Sequence, residues 1–392
     1  MPLLNSIAER TEEIVGWRHD IHAHPELLYE VQRTAAKVEK LLAEFGVEDL
    51  TTGIGRTGVV GVIRGKNGPG KTVAFRAELD ALPIVERSGK PHASTNAGLM
   101  HACGHDGHTA MLLGAAKYLA ETRDFAGTVV VVFQPAEEGG AGGQAMIDDG
   151  LLERFGIEEV YGMHNLPGLP VGDFATCAGP MMAAVDEFDV TIHGSDGHAA
   201  WPHLTADPIV AAGHVLVALQ TIISRNLDPL GTAVLSVTRM SAGSAYNVIP
   251  SEARLGGTVR TLAPEVRDLI EERFRRIVEQ TAAAFGATAT VDYRRGYPAT
   301  ITNDAKTALV AQVAREVVGE ARVNDKMVPL MGGEDFAFML QQRPGGYVFV
   351  GNGPSSGLHT DTYDFNDDLI PVGVSFWVRL AQTATQPVSP DA

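Results

Sequence analysis

The run Thr128-Val-Val-Val-Val-Phe-Gln134 is apolar through its whole centre, where a half-exposed strand would alternate. It is rich in β-branched residues and bounded by Gly127 and Pro135, so it reads as a strand covered on both faces. Strands of this kind belong to sheets flanked by helices on both sides. The runs TGVVGVI (57–63) and KTVAFRAEL (71–79) are further strands, and Thr109–Glu121 reads as a helix between them and the Val run. Ahead of them, Ser6–Phe45 carries apolar residues such as Ile7, Ile14, Val15 and Trp17 near helical spacing, broken at Pro25. The alternation predicts a doubly wound α/β domain, with ligands held beyond the carboxyl ends of the strands.

From about Val185 the pattern changes. VDEFDVTIHG alternates like a half-exposed strand, Ala206–Asn226 reads as a helix, and TAVLSVTRMSAG and EARLGGTVRTL read as two more strands. Pro264–Phe285 is a charged amphipathic helix opened by its proline, and ATATVDYRRG closes the set. The order β-α-β-β-α-β is ferredoxin-like. A chain of 392 residues exceeds the size at which single cores usually divide. The expected organisation is therefore one domain from residues 1–183 and 296–392, with 184–295 inserted as a smaller domain. After the insertion come a helix at Asp304–Val318, the strand YVFVG and a helix at Pro371–Thr383; the final QPVSPDA reads as a frayed tail.

The net charge of −17 leaves nothing to neutralise phosphates, so neither a nucleic acid nor an anionic membrane is an expected partner. No stretch approaches the roughly 18 consecutive apolar residues of a membrane span. The first residues lack a basic start followed by an apolar run, and Cys103 and Cys177 make no disulfide framework. A reducing cytoplasm is the expected location.

Ligand-type residues gather where the large domain's strands end: RAELDALP (76–83), HACGHDGH (101–108), QPAEEGG (134–140), GMHN (162–165) and GLHTDTYDF (357–365). Singly, each has a bland reading, since most histidines pack or face solvent and paired glutamates usually form a solvated face. Together they differ. Glu137 and Glu138 leave an apolar strand directly, and Cys103-x-His105 offers two donors from neighbouring positions. With one glutamate and two distant histidines this makes a nitrogen, oxygen and sulfur set suited to Zn²⁺, Mn²⁺, Ni²⁺ or Co²⁺.

HACGHDGHTAM, FQPAEEGG, GMHN, GHAAWPH, NVIP and GGEDFAF, in this order, resemble the hippurate hydrolase and auxin-conjugate amidohydrolase branch of the dinuclear metallo-aminoacylases and carboxypeptidases. The resemblance runs from RHDIHAHPEL (18–27) to YDFNDDLIPVG (363–373). It implies a zinc-peptidase α/β domain with an inserted ferredoxin-like lid used for dimerisation, hence a homodimer or an assembly of dimers. It implies metal ligands at Cys103, His105, Glu138, His164 and His359, and two divalent ions per subunit. Glu137 becomes the general base and Asp80 an orienting residue behind the ligands. Two adjacent strand-end glutamates cannot both turn to one ion, which agrees with that division. Cys103 is then a thiolate ligand rather than a nucleophile. A Cys–His protease dyad is the alternative, disfavoured because Cys103 and His105 are so close in sequence. His101, Asp106 and His108 are expected behind the ligands or at the helix start, with Asp106 a candidate cap. His22 and His24 are read as structural, and His92 carries no functional argument.

In the lid, the resemblance implies that His198 stabilises an oxyanion, commonly in the partner subunit's site, and that Asn247 and Arg260 grip a substrate carboxylate. Two departures from the family pattern stand out. Glu78 occupies a position where aspartate is more usual, and Thr360-Asp361-Thr362 replaces Asn-Pro-Arg after His359. The expected activity is metal-dependent cleavage of small N-acyl-L-amino acids. A dipeptidase, a carboxypeptidase or an N-acetyl-diaminopimelate deacetylase is the near alternative, and a non-catalytic binding protein the distant one.

Overall fold

The computed structural model describes residue 5 and residues 7–387. Ser6, at the head of the expected helical stretch, and the expected frayed tail from residue 388 onward lie outside them. In chain order the principal elements are α1 (Thr11–Ala23), α2 (Gln32–Glu44), β1 (Glu48–Ile54), β2 (Gly58–Arg64), β3 (Thr72–Glu78), α3 (His105–Thr122), β4 (Thr128–Gln134), β5 (Glu159–Pro167) and β6 (Phe174–Ala175). They continue with β7 (Ala184–His193), α4 (Pro208–Thr221), β8 (Ala233–Ala242), β9 (Glu252–Thr261), α5 (Pro264–Ala284) and β10 (Thr288–Arg295). The last are α6 (Asp304–Val318), β11 (Val323–Asn324), β12 (Gly345–Gly353) and α7 (Ile370–Ala384).

The chain divides into two compact units, one comprising the residues up to Gly179, Ile301–Val328 and those from Phe338 on, the other Pro180–Thr300 and Pro329–Ala337. The sequence placed the insertion at 184–295. The remote segment Pro329–Ala337 joins it because the Leu330 N–H bonds the Met181 carbonyl and the Ala183 N–H bonds the Gly332 carbonyl, each at 2.9 Å. A reading along the chain has no signal for such a return.

In the larger unit the strands form one eight-stranded sheet in the order β1-β2-β4-β3-β5-β12-β6-β11. β3 runs parallel to β4 and β5, and β12 parallel to β5, so these four neighbours release their carboxyl ends on one side. Val129 to Phe133 are completely buried, the environment their unbroken apolar run demands. β1 and β2 add antiparallel at one edge. β1 (EDLTTGI) escaped the sequence reading because it is largely exposed and shows neither an apolar run nor an alternation. α3 begins at His105, four residues before the expected Thr109, because its first turn buries polar side chains where apolar ones would ordinarily mark a helix face.

The inserted unit is a four-stranded sheet in the order β8-β9-β7-β10, antiparallel throughout, with α4 and α5 between its strands in sequence. This is the predicted ferredoxin-like arrangement. Phe188 of β7 meets Phe274 of α5 at 4.5 Å between ring centres, within a core that also takes Ala211, Val215 and Leu219 from α4. Asp207 caps α4 by accepting from the Ile209 N–H at 2.9 Å, and Pro208 follows in the first turn. The continuous helix Pro208–Asn226 is long and apolar enough to cross a membrane by length and composition alone. One of its faces is spent on the unit's own core, while Ile209, Val210 and Val217 stay exposed.

Candidate metal centre

The two glutamates are set by a clamp at the strand ends. Asp80, just beyond β3, accepts the backbone N–H of Glu137 on one carboxylate oxygen and that of Glu138 on the other, each at 3.0 Å. Both glutamates follow β4, the parallel neighbour of β3. Their side chains diverge: Glu137 Oε2 lies 4.0 Å from His105 Nε2, and Glu138 Oε1 lies 3.2 Å from His359 Nε2. Between Cys103 and His105 the chain turns through Gly104 at φ +94°. A Cβ there would stand 2.2 Å from Asn165 Nδ2 and 2.6 Å from the Tyr363 hydroxyl, so both the conformation and the space require glycine.

Hydrogen bonding to one ring nitrogen assigns the other. His105 Nδ1 donates to the Asp80 carbonyl at 2.8 Å, and His164 Nδ1 to the Asn165 carbonyl at 2.7 Å. Each ring therefore presents Nε2, and such carbonyl bonds are the usual orienting partners of metal-binding histidines. His164 Nε2 and His359 Nε2 each lie 3.4 Å from Cys103 Sγ. Cys103, Glu138 and His359 form one group of converging donor atoms, and His105, Glu137 and Glu138 form another, joined at Glu138.

Buried polar atoms are almost always bonded, and here some are not. Among the described residues, His105 Nε2 has no hydrogen-bond partner, and Glu138 Oε1 makes no hydrogen bond despite the nearby His359 ring. Both residues belong to groups whose donor atoms lie within 4.8 Å of one another. The field there favours positive charge: burial alone would lower His105, yet the Asp80 hydrogen bond and the charges of Glu78, Asp80 and Glu138 raise it to about 10. Burial, with Glu138 and Glu137 alongside, pushes the Cys103 thiol well above its ordinary value, and burial beside His108 takes His164 down to about 3. A divalent cation answers each tension, since it satisfies the unbonded atoms and stabilises a thiolate. The donor set fits such an ion.

His108 behaves differently. Its Nδ1 donates to Glu78 Oε2 at 2.8 Å and its Nε2 accepts the Asn165 N–H at 3.0 Å, so both nitrogens are consumed. Glu78 is also gripped by Arg76, whose Nε donates to Gln134 at 2.9 Å. The extra methylene of Glu78 thus serves Arg76 and His108. The other departure is accommodated in the loop: Thr360 Oγ1 donates to the Gly357 carbonyl at 2.7 Å, and the Ser356 and Thr362 hydroxyls meet at 2.9 Å. His359 itself sits at φ +60°, and its N–H bonds the Ala102 carbonyl at 2.8 Å. His101 is buried with neither nitrogen bonded, and burial lowers it to about 3.

Asp106 does not cap α3. Gly104 occupies the N-cap position, and the Asp106 carboxylate is taken instead by Arg18 and His22 of α1. His92, given no role from sequence, bonds Asp364 at 3.0 Å in the same network. A signal for Arg18 and His22 existed: with Ile14 and Ile21 they complete one helical face, which marks them as buried polar residues.

In the inserted unit, His198 is exposed, and its Nδ1 accepts the Ala200 N–H at 3.1 Å, which leaves Nε2 as the outward donor. Its strand residues pair with Val248 and Ile249, and the Asn247 carbonyl accepts the Ala199 N–H at 3.0 Å, so His198 and Asn247 are neighbours. Arg260 sits on β9, half-buried, opposite Val234 and Val185.

The profile of peptidase family M20/M25/M40 matches residues 74–383. The chain belongs to that family. Among M20 relatives, it is 43% identical to the N-acetyl-L-cysteine deacetylase of Bacillus subtilis (strain 168), over 92% of this chain and 85% of that one. It is 40% identical to the hippurate hydrolase of Campylobacter jejuni, covering 97% of this chain and 99% of the relative. The crystal structure of the Bacillus subtilis YXEP protein, described as a dinuclear metal binding peptidase of the M20 family, superposes with a TM-score of 0.84 at 35% identity, over 96% of this chain and 99% of that one. The M20 assignment agrees with the expected fold class, the resemblance and a hydrolase acting on amide bonds.

Proposed function

We propose that this M20 enzyme hydrolyses the amide bond of N-acyl-amino acids, releasing a carboxylic acid and a free amino acid. One observation carries the reading: Asp80 clamps two adjacent glutamates so that Glu138 joins the Cys103 and His359 donors while Glu137 turns to the His105 side. Cys103, His105, Glu138, His164 and His359 would hold two divalent ions per subunit, drawn from Zn²⁺, Mn²⁺, Ni²⁺ and Co²⁺ by the mixture of donors. A bound divalent ion supplies Lewis acidity at the scissile carbonyl and acidifies water beside it. Glu137 takes the proton of the attacking water and returns it to the leaving nitrogen. Asp80 fixes the backbone from which both glutamates extend. By the family resemblance, His198 would stabilise the oxyanion through its Nε2–H, commonly in the partner subunit's site, and Asn247 and Arg260 would receive the substrate carboxylate.

The assembly in this reading is a homodimer formed through the inserted unit. Among the described residues, β8 ends that unit's sheet with its outer edge unpaired, and Ile209, Val210 and Val217 of α4 expose apolar surface. Two cysteines in 392 residues are too few for a disulfide framework, which suits a reducing cytoplasm. The charge of −17 disfavours nucleic-acid and anionic-membrane partners.

The test strips the protein with a chelator, reloads it with each ion in turn, and follows amino-acid release from N-benzoylglycine and a panel of N-acetyl-amino acids. Turnover should vanish on stripping and return with at least one ion. A protein that binds the ions tightly yet turns over no acyl-amino acid would refute the substrate class.

A further inference from the structure

Arg18 is a fully buried guanidinium on the N-terminal helix, remote in sequence from every candidate ligand. Its Nε donates to Asp106 Oδ2 at 2.8 Å, one residue after His105. Its Nη2 donates to Asp364 Oδ1 at 2.7 Å and its Nη1 to Asp367 Oδ1 at 3.2 Å, both on the segment that follows His359. One side chain thus ties together two stretches that carry candidate ligands. The tie is reinforced on both sides. His22, four residues on along α1, bonds the same Asp106 oxygen at 2.9 Å. Phe365 packs so closely on Gly107 that a Cβ there would stand 2.3 Å from its ring, and the Tyr363 hydroxyl donates to Asn165 Oδ1 at 2.8 Å, beside His164.

A buried charge with three carboxylate partners costs desolvation, and a well-packed apolar group is often no worse for stability. Such an arrangement gains its value from geometry, because a planar guanidinium fixes the direction of each partner where an ammonium does not. We propose that Arg18 is a positioning residue for the metal centre: through Asp106 on one side and Asp364 on the other, it holds the Cys103–His105 loop and the His359 loop at coordination spacing. The inference rests on the metal reading above and assigns Arg18 no contact with substrate. It also accounts for an ordered His359 loop without the proline and arginine usual after that histidine, since Tyr363, Asp364 and Phe365 anchor it from the other end.

The experiment measures divalent-ion affinity, by competition between the intact protein and a chelating dye for Mn²⁺ and Zn²⁺, and records the visible spectrum of the Co²⁺-loaded protein. Variants are Arg18→Lys, Arg18→Gln and Asp364→Asn. Glu13→Gln serves as the control, because the Glu13–Lys117 pair (2.6 Å) joins the same two helices at the surface without touching Arg18. Asp364→Asn and Arg18→Lys should weaken ion binding by about 10–100-fold, as loss of an outer partner does, and alter the Co²⁺ spectrum, while Glu13→Gln leaves both unchanged. Arg18→Gln should do at least as much. If it fails to fold, Asp364→Asn still decides, because Asp364 is partly exposed and its neutral amide keeps the side chain's shape. Ion affinity within about twofold of the parent for Asp364→Asn and Arg18→Lys, with the parent's spectrum, would overturn the proposal. An equal loss in Glu13→Gln would also overturn it, in favour of simple helix docking. A parent protein that binds no divalent ion would instead sink the metal reading itself.

Discussion

His105 and His108 stand one turn apart on α3, both buried and both facing carboxylates, yet only one is fully bonded. His108 has a partner for each nitrogen, Glu78 on one side and the Asn165 N–H on the other. His105 spends Nδ1 on the Asp80 carbonyl and keeps Nε2 buried without a partner. The neighbourhoods differ accordingly. Around His108, Arg76 and Gln134 complete a closed network of donors and acceptors. Around His105, the side chains of Glu137 and Glu138 converge, and Glu138 in turn meets Cys103 and His359. Residue type does not separate these two histidines, and neither does burial; the unbonded Nε2 of His105, set among converging donors, does. A buried unbonded atom within a converging donor group is where an ion would be held.

The largest effect should come from the converging side. Glu137→Gln is expected to keep the ion content, measured by elemental analysis, and to lower kcat by about 10²–10⁴-fold, the usual loss when a general base is removed. Loss of the ion in this variant would mean that Glu137 and Glu138 have exchanged roles. Next, His105→Ala and Cys103→Ala should release ions at concentrations where the parent holds them, and the loss should exceed the about 10–100-fold typical of outer partners. Because His105→Ala also loses the bond to the Asp80 carbonyl, the apo protein's melting temperature should fall, but by less than when a ring bonded at both nitrogens is removed. Ion stoichiometry equal to the parent's in His105→Ala would erase the distinction between the two histidines.

The strands and their order of appearance were legible because covered strands need continuous apolar runs, as Val129–Phe133 shows. The candidate ligands were legible because Cys, His and Glu stand out at strand ends, and the resemblance then sorted Glu137 from Glu138. What stayed hidden was pairing across long separations. Nothing near Arg18 announces that it reaches Asp364, and nothing near Asp106 distinguishes an ion-paired carboxylate from a helix cap. The Asp80 clamp is of the same kind: its two backbone partners are fixed by a parallel strand pairing that composition cannot register.

The closed side should lose more stability. His108→Ala strands the Glu78 oxygen and the Asn165 N–H, and a buried group left unbonded costs about 1–3 kcal/mol. The melting temperature of the apo protein should therefore fall further in His108→Ala, which strands two partners, than in His105→Ala, which strands one. If both variants melt together, bonding does not mark the difference between support and ligand.

A pair of arginines extends the same logic to the inserted unit, with a smaller expected effect. Arg267 is closed: it bonds the buried carboxylate of Asp186 through Nε at 3.0 Å, and Tyr293 shares that carboxylate at 3.0 Å. Arg260 is half-buried and, among the described residues, has no hydrogen bond or ion pair; burial lowers its affinity for a proton while Glu187 and Asp186 act only from a distance. An unanswered guanidinium is a receptor for a carboxylate, and a charge-assisted bond of this sort is worth about 1.5–3 kcal/mol. Arg260→Ala should then raise KM about 10–100-fold on an N-acyl-amino acid with a free carboxylate and leave its methyl ester nearly unaffected. Because the parent should discriminate acid from ester and the variant should not, the ratio of the two kcat/KM values reads the contact directly. A variant that loses equally on both would place Arg260 in the packing of β9 rather than in recognition.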